Sequence, residues 1–70
     1  MEKTAMPQII AQPDLAEMLG RSLSTLRYWR HNGYGPRSFL LGGRVCYKVE
    51  DVEAWLEQQY NDDTAGQRVG

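Results

Sequence analysis

The sequence predicts a mostly α-helical single domain that carries a small two-stranded β hairpin, and three observations predict it. Two short amphipathic segments are separated only by the Gly20-Arg21-Ser22 turn. Two β-prone stretches, Phe39 to Leu41 and Val45 to Lys48, flank a Gly42-Gly43 pair. An apolar stripe at helical spacing then returns with Val52, Trp55 and Leu56. The chain has 70 residues, of which 41% are hydrophobic, enough for one small packed core. It leaves no room for a substrate cavity with a supporting layer around it.

Residues 1–10 have no period and are expected to form a flexible arm ahead of a domain spanning residues 11–60. Pro13 suits the first turn of a helix, and Asp14 and Glu17 suit its positive end. Leu15, Ala16 and Leu19 share one face, and Gly20 is a natural stop. Ser22 can cap a second helix by accepting from the backbone N–H of Ser24 or Thr25. On that helix Leu23, Leu26, Trp29 and Arg30 fall near the core direction, whereas Ser24, Arg27, Tyr28 and His31 fall opposite, with Thr25 at the margin. Gly33 ends it.

The Gly33 to Arg37 stretch is a loop, and Gly42-Gly43 predicts a tight primed turn between two strands. Alternation along the second strand places Val45 and Tyr47 inward, and Arg44, Cys46 and Lys48 outward. Glu50, Asp51 and Glu53 open a third helix with the charge its N-terminus prefers. The pattern fades from Gln58, so residues 61–70 are expected to be a disordered tail.

The charges are segregated. Between Met18 and Val49 lie Arg21, Arg27, Arg30, Arg37, Arg44 and Lys48 with no acidic residue, while Glu50, Asp51, Glu53, Glu57, Asp62 and Asp63 follow. A net charge of -1 therefore conceals a basic middle whose field suits phosphate. The single Cys46 and single His31 exclude an internal disulfide and any cysteine-cluster or His-pair metal site. No cofactor and no catalytic constellation is expected, so the chain is not read as an enzyme. The free thiol, and the absence of any apolar run near the ~20 residues a membrane span needs, point to a cytoplasmic protein without membrane contact.

Helix, tight turn, donor-rich helix, basic hairpin and helix together make a winged helix-turn-helix pattern, whose second helix reads the major groove of double-stranded DNA. The strings Leu15-Ala16-Glu17-Met18-Leu19-Gly20, Ser22 to Arg30 (SLSTLRYWR) and Gly42 to Leu56 (GGRVCYKVEDVEAWL) resemble the small MerR-like winged-helix domains. Within that group the chain is most similar to phage excisionases (recombination directionality factors) and AlpA-like regulators, over roughly Ala11 to Gln58. The resemblance implies DNA contacts by Ser24, Thr25, Arg27 and Tyr28 on the second helix and by Arg44 at the wing.

Position adds Ser22, Arg30, His31, Arg37 and Lys48 to the candidate DNA-binding set. Some of these residues have a second reading. Arg30 can instead pair with Glu17, Tyr28 can pack under the wing, and His31 can simply favour the negative end of its helix. The resemblance further implies an architectural role, in which several copies bend attachment-site DNA and direct a phage integrase toward excision in the host nucleoid. The alternatives are a transcriptional regulator with the same fold and a protein-interaction adaptor without DNA binding. Glu53 and Glu57, one turn apart, are the candidate contacts for a neighbouring copy bound head to tail.

Overall fold

The computed structural model describes residues 7–66, and its first element is a strand the sequence did not predict. β1 (Ile9–Ala11) pairs antiparallel with β3 (Arg44–Lys48), with Ile9 opposite Lys48, Ile10 opposite Tyr47 and Ala11 opposite Cys46. β2 (Ser38–Leu41) pairs with the other edge of β3, with Phe39 opposite Cys46 and Leu41 opposite Arg44. The sheet thus has three strands in the order β1-β3-β2, rather than the two of the expected hairpin. Ile9 and Ile10 belong to this sheet and not to a flexible arm; residues 1–6 of that arm lie outside the described residues. A strand of three residues is too short to show a period, so only pairing with β3 reveals it.

Between the β2 and β3 strands, Gly42 and Gly43 take φ +60 and +86, the pair of positive values that a primed hairpin turn requires. The core face of the sheet carries Ile10, Val45 and Tyr47. Cys46, expected outward, is buried. It sits on the central strand between its cross-strand neighbours Ala11 and Phe39, and their side chains share its face.

Two helices pack on the core face. α1 (Gln12–Leu19) follows β1 without a linker, has Pro13 in its first turn and ends at Gly20, which takes φ +69. There the N–H of Arg21 donates to Ala16 O at 2.9 Å and that of Gly20 to Glu17 O at 3.1 Å. α2 (Leu23–His31) begins at Ser22, whose Oγ accepts from the Thr25 N–H at 3.1 Å. Leu15, Ala16, Leu26, Tyr47 and Val52 form the buried core, and Leu15 and Leu26 are the largest side chains sealed inside it.

The end of α2 carries more than a stop. The N–H of Tyr34 donates to Trp29 O at 2.8 Å, and its ring stands edge-to-face on Trp29 with centroids 5.1 Å apart. Trp55 of α3 (Val49–Gly66) completes a three-ring cluster, 5.6 Å from Trp29 and 5.8 Å from Tyr34. The Tyr34 hydroxyl donates to Gln59 Oε1 at 3.1 Å. These rings join α2 to α3 at the margin of the core, so Trp29 and Trp55 are half-buried rather than sealed inside.

Val52, Trp55 and Gln59 form the inward edge of α3, and Leu56, expected in its buried stripe, is 39% exposed beside them. The helix also runs through residues 61–66, where a disordered tail was expected; residues 67–70 lie outside the described residues. Backbone hydrogen bonding needs no apolar period to continue, and Thr64 adds a bond from Oγ1 to Tyr60 O at 2.8 Å.

Gly35 is pressed against this cluster. It takes φ +93, and a Cβ there would meet Trp29 Cε3 at 3.2 Å. Gly35→Ala is therefore expected to destabilise the fold by more than about 1 kcal/mol. A thermal melt should fall by at least roughly 4 °C, and an unchanged midpoint would mean that the Trp29 ring moves aside freely.

Candidate nucleic-acid interface

The exposed face of α2 and the start of β3 stand on either side of a furrow whose end is closed by the first turn of α1. One hollow in it, of about 250 Å³, is lined by Gln12, Pro13, Leu23, Arg27, Gly43 and Arg44 among others. A second, of about 260 Å³, is lined by Gln12, Arg27, Arg30, His31 and Val45. The two share Gln12, Arg27 and Val45, so they are adjoining parts of one surface. No carboxylate lines either one. Arg27 approaches from α2 and Arg44 from the wing. Such a pair is suited to anionic oxygens.

The remaining candidates divide by location. Ser24 is exposed at the start of α2, and Tyr28, at 68% exposure, lies open on the same helix rather than under the wing. Thr25 is half-buried. Ser22 is committed to the cap: its Oγ accepts from the Thr25 N–H and lies 2.8 Å from Thr25 Oγ1. Arg30 is tied across to β2, with its Nε donating to Ser38 Oγ at 2.8 Å, a partner other than the Glu17 of its alternative reading. His31 joins Arg27 and Arg30 at the second hollow.

Arg37 and Lys48 are exposed but line neither hollow of the furrow. Lys48 lies opposite Ile9, at the end of β3 away from the wing tip. At about 3.3 Å per residue, its backbone is roughly 13 Å from that of Arg44. Glu53 is on that far side as well, lining a small hollow with Pro7, Gln8, Val49 and Glu50. Glu57 is exposed one turn further along α3. The basic furrow and the acidic start of α3 thus occupy opposite ends of the sheet.

The residue that sequence reasoning missed is Gln12. It is buried, lines both hollows, and donates from Nε2 to the Tyr47 hydroxyl at 3.0 Å. Its only sequence signal is a lone amide between an apolar triplet and Pro13. Among the described residues no cluster of His, Cys, Asp or Glu could hold a metal ion, and no helix is long and apolar enough to cross a membrane.

A family model described as a helix-turn-helix domain matches residues 12–60. The match takes in both helices of the motif, the hairpin and most of α3, and leaves out β1. No curated protein and no solved structure matches the chain.

Proposed function

The chain belongs to the helix-turn-helix domain family and is a DNA-binding protein; from that premise we propose that it is a phage excisionase, a recombination directionality factor that acts architecturally in the cytoplasm of a bacterial host. α2 enters the major groove of attachment-site DNA and the wing crosses the adjacent backbone. Copies on neighbouring sites bend the duplex and hold the phage integrase in the arrangement that favours excision. The observation that carries the DNA contact is the convergence of Arg27 and Arg44, from two separate elements, on one furrow free of carboxylates.

In this reading Arg27, Tyr28 and Arg44 fix register through phosphates, while Ser24 and Thr25 approach bases or phosphates near the start of α2. The choice of excision rests on the likeness of the SLSTLRYWR and GGRVCYKVEDVEAWL strings to excisionases. Contact between neighbouring copies is supported by the polarity of the molecule. Arg44 stands at one end of the sheet and Glu53 at the other, so unlike ends of successive copies can meet repeatedly without closing a ring.

Exposed ion pairs contribute only about 0–1 kcal/mol each, so the free protein should stay monomeric. On adjacent sites, a contact of about 1.4 kcal/mol is enough for roughly tenfold cooperativity. Gel shifts on attachment-site DNA with one, two or three adjacent sites test the proposal. Wild type should fill adjacent sites cooperatively, and a variant combining Glu53→Lys with Glu57→Lys should fill them independently while keeping its single-site affinity. Binding restricted to promoter DNA, with none at attachment sites, would favour a transcriptional regulator of the same fold.

A further inference from the structure

Gln12, which lines the furrow beside Arg27 and Arg44, makes the only buried hydrogen bond between two side chains among the described residues, to Tyr47 behind it in the core. Gln12 is 5% exposed and Tyr47 2%. Sealing an amide and a phenol inside so small a core costs free energy unless the two are bonded to each other, and two apolar side chains of the same shape would fill the space equally well. What an apolar pair lacks is direction. The bond runs from the first residue of α1 to the strand that begins with Arg44, and Gln12 also lines both hollows beside Arg27.

Arg27 is carried by α2, which is fixed to α1 by the Gly20-to-Ser22 turn and by Leu15 and Leu26 in the shared core. β1 already ties the start of α1 to β3 through its strand pairing, and the Gln12–Tyr47 bond adds a directional side-chain link that tunes how far the wing stands from the reader helix. We infer that Gln12 and Tyr47 are positioning residues for DNA binding: their hydrogen bond holds the wing at the distance from α2 that lets Arg27 and Arg44 reach their phosphates together. The inference rests on the phosphate-contact reading of the furrow given above. Tyr47 is sealed from solvent, so its effect on DNA can only be indirect.

The test compares wild type, Tyr47→Phe, and the double variant Gln12→Met with Tyr47→Phe. Each is melted and then titrated against labelled duplex DNA by fluorescence anisotropy at several salt concentrations. Tyr47→Phe should melt earlier, because the Gln12 amide loses its buried partner. The double variant, with both polar groups replaced, should melt close to wild type. It should nevertheless bind about tenfold more weakly, with a salt slope shallower by about one, as expected when one phosphate contact is lost.

A double variant that binds with wild-type affinity and slope would overturn the inference, and so would a weakening fully accounted for by its unfolded fraction. If the double variant does not fold, the slope is read on Tyr47→Phe below its melt, and a wild-type slope there overturns the inference as well. A wild-type protein whose affinity ignores salt would refute the phosphate contacts themselves, and that result is distinguishable because it involves no variant.

Discussion

Leu26→Ala is expected to remove a large share of the stability of the domain, from about a fifth to all of it. Leu26 is 1% exposed on the inward face of α2, in one cluster with Leu15, Ala16, Tyr47 and Val52. Truncating a buried leucine costs about 2–5 kcal/mol, because transfer energy is lost and the cavity closes only in part. At roughly 0.05–0.15 kcal/mol per residue, a domain of this size has a total stability of only about 3–10 kcal/mol. The measurement is a thermal melt followed by circular dichroism, and a cooperative transition within a few degrees of wild type would contradict the core assignment. Sequence periodicity alone gives this central role to Trp29 and Trp55. Their half-buried position in a ring cluster at the margin of the core ranks their truncation below that of Leu26.

The second large effect concerns affinity rather than stability. Combining Arg27→Ala with Arg44→Ala should leave the melt within about 0.5 kcal/mol of wild type, since both side chains are exposed. Each charge-assisted bond to phosphate contributes roughly 1.5–3 kcal/mol. Losing two independent ones should weaken DNA binding by about a hundredfold to ten-thousandfold. Each neutralised phosphate adds about −0.9 to the slope of log K against log salt, so the slope of the double variant should be shallower than that of wild type by about two. A double variant that keeps its slope would place the phosphate contacts on other residues.

The helix-turn-helix was legible because its signals are local. Gly20, Ser22 and Gly33 mark helix ends through backbone geometry and capping, which depend on a few adjacent residues. Gly42-Gly43 marks the hairpin for the same reason. The features not legible depend on partners distant in sequence. β1 exists because Ile9 to Ala11 find the free edge of β3, and nothing within the triplet announces that edge. Cys46 alternates with Val45 and Tyr47 and so reads as outward, yet it is buried on the central strand between its cross-strand neighbours Ala11 and Phe39. Helical phase alone gives Leu56 the same claim to the core as Trp55, and only the rings of Trp29 and Tyr34 settle which edge of α3 turns inward. In the site, the basic residues were legible as charge, and Arg44 as the tip of a turn. The bond between Gln12 and Tyr47 was not, because the two lie 35 positions apart.

The strand order β1-β3-β2 also determines when this molecule can assemble. β2 and β3 are neighbours in the chain and can zip together on their own. β1 must wait for a partner about half the sequence away, and closing a loop of that length costs an entropy on the order of 3 kcal/mol before any contact repays it. The order of events expected during synthesis is therefore hairpin before sheet. α1 and α2 emerge from the ribosome long before the strand that supplies Tyr47 to their core. A nascent chain that ends before β3 therefore lacks both the centre of its sheet and a buried member of its core.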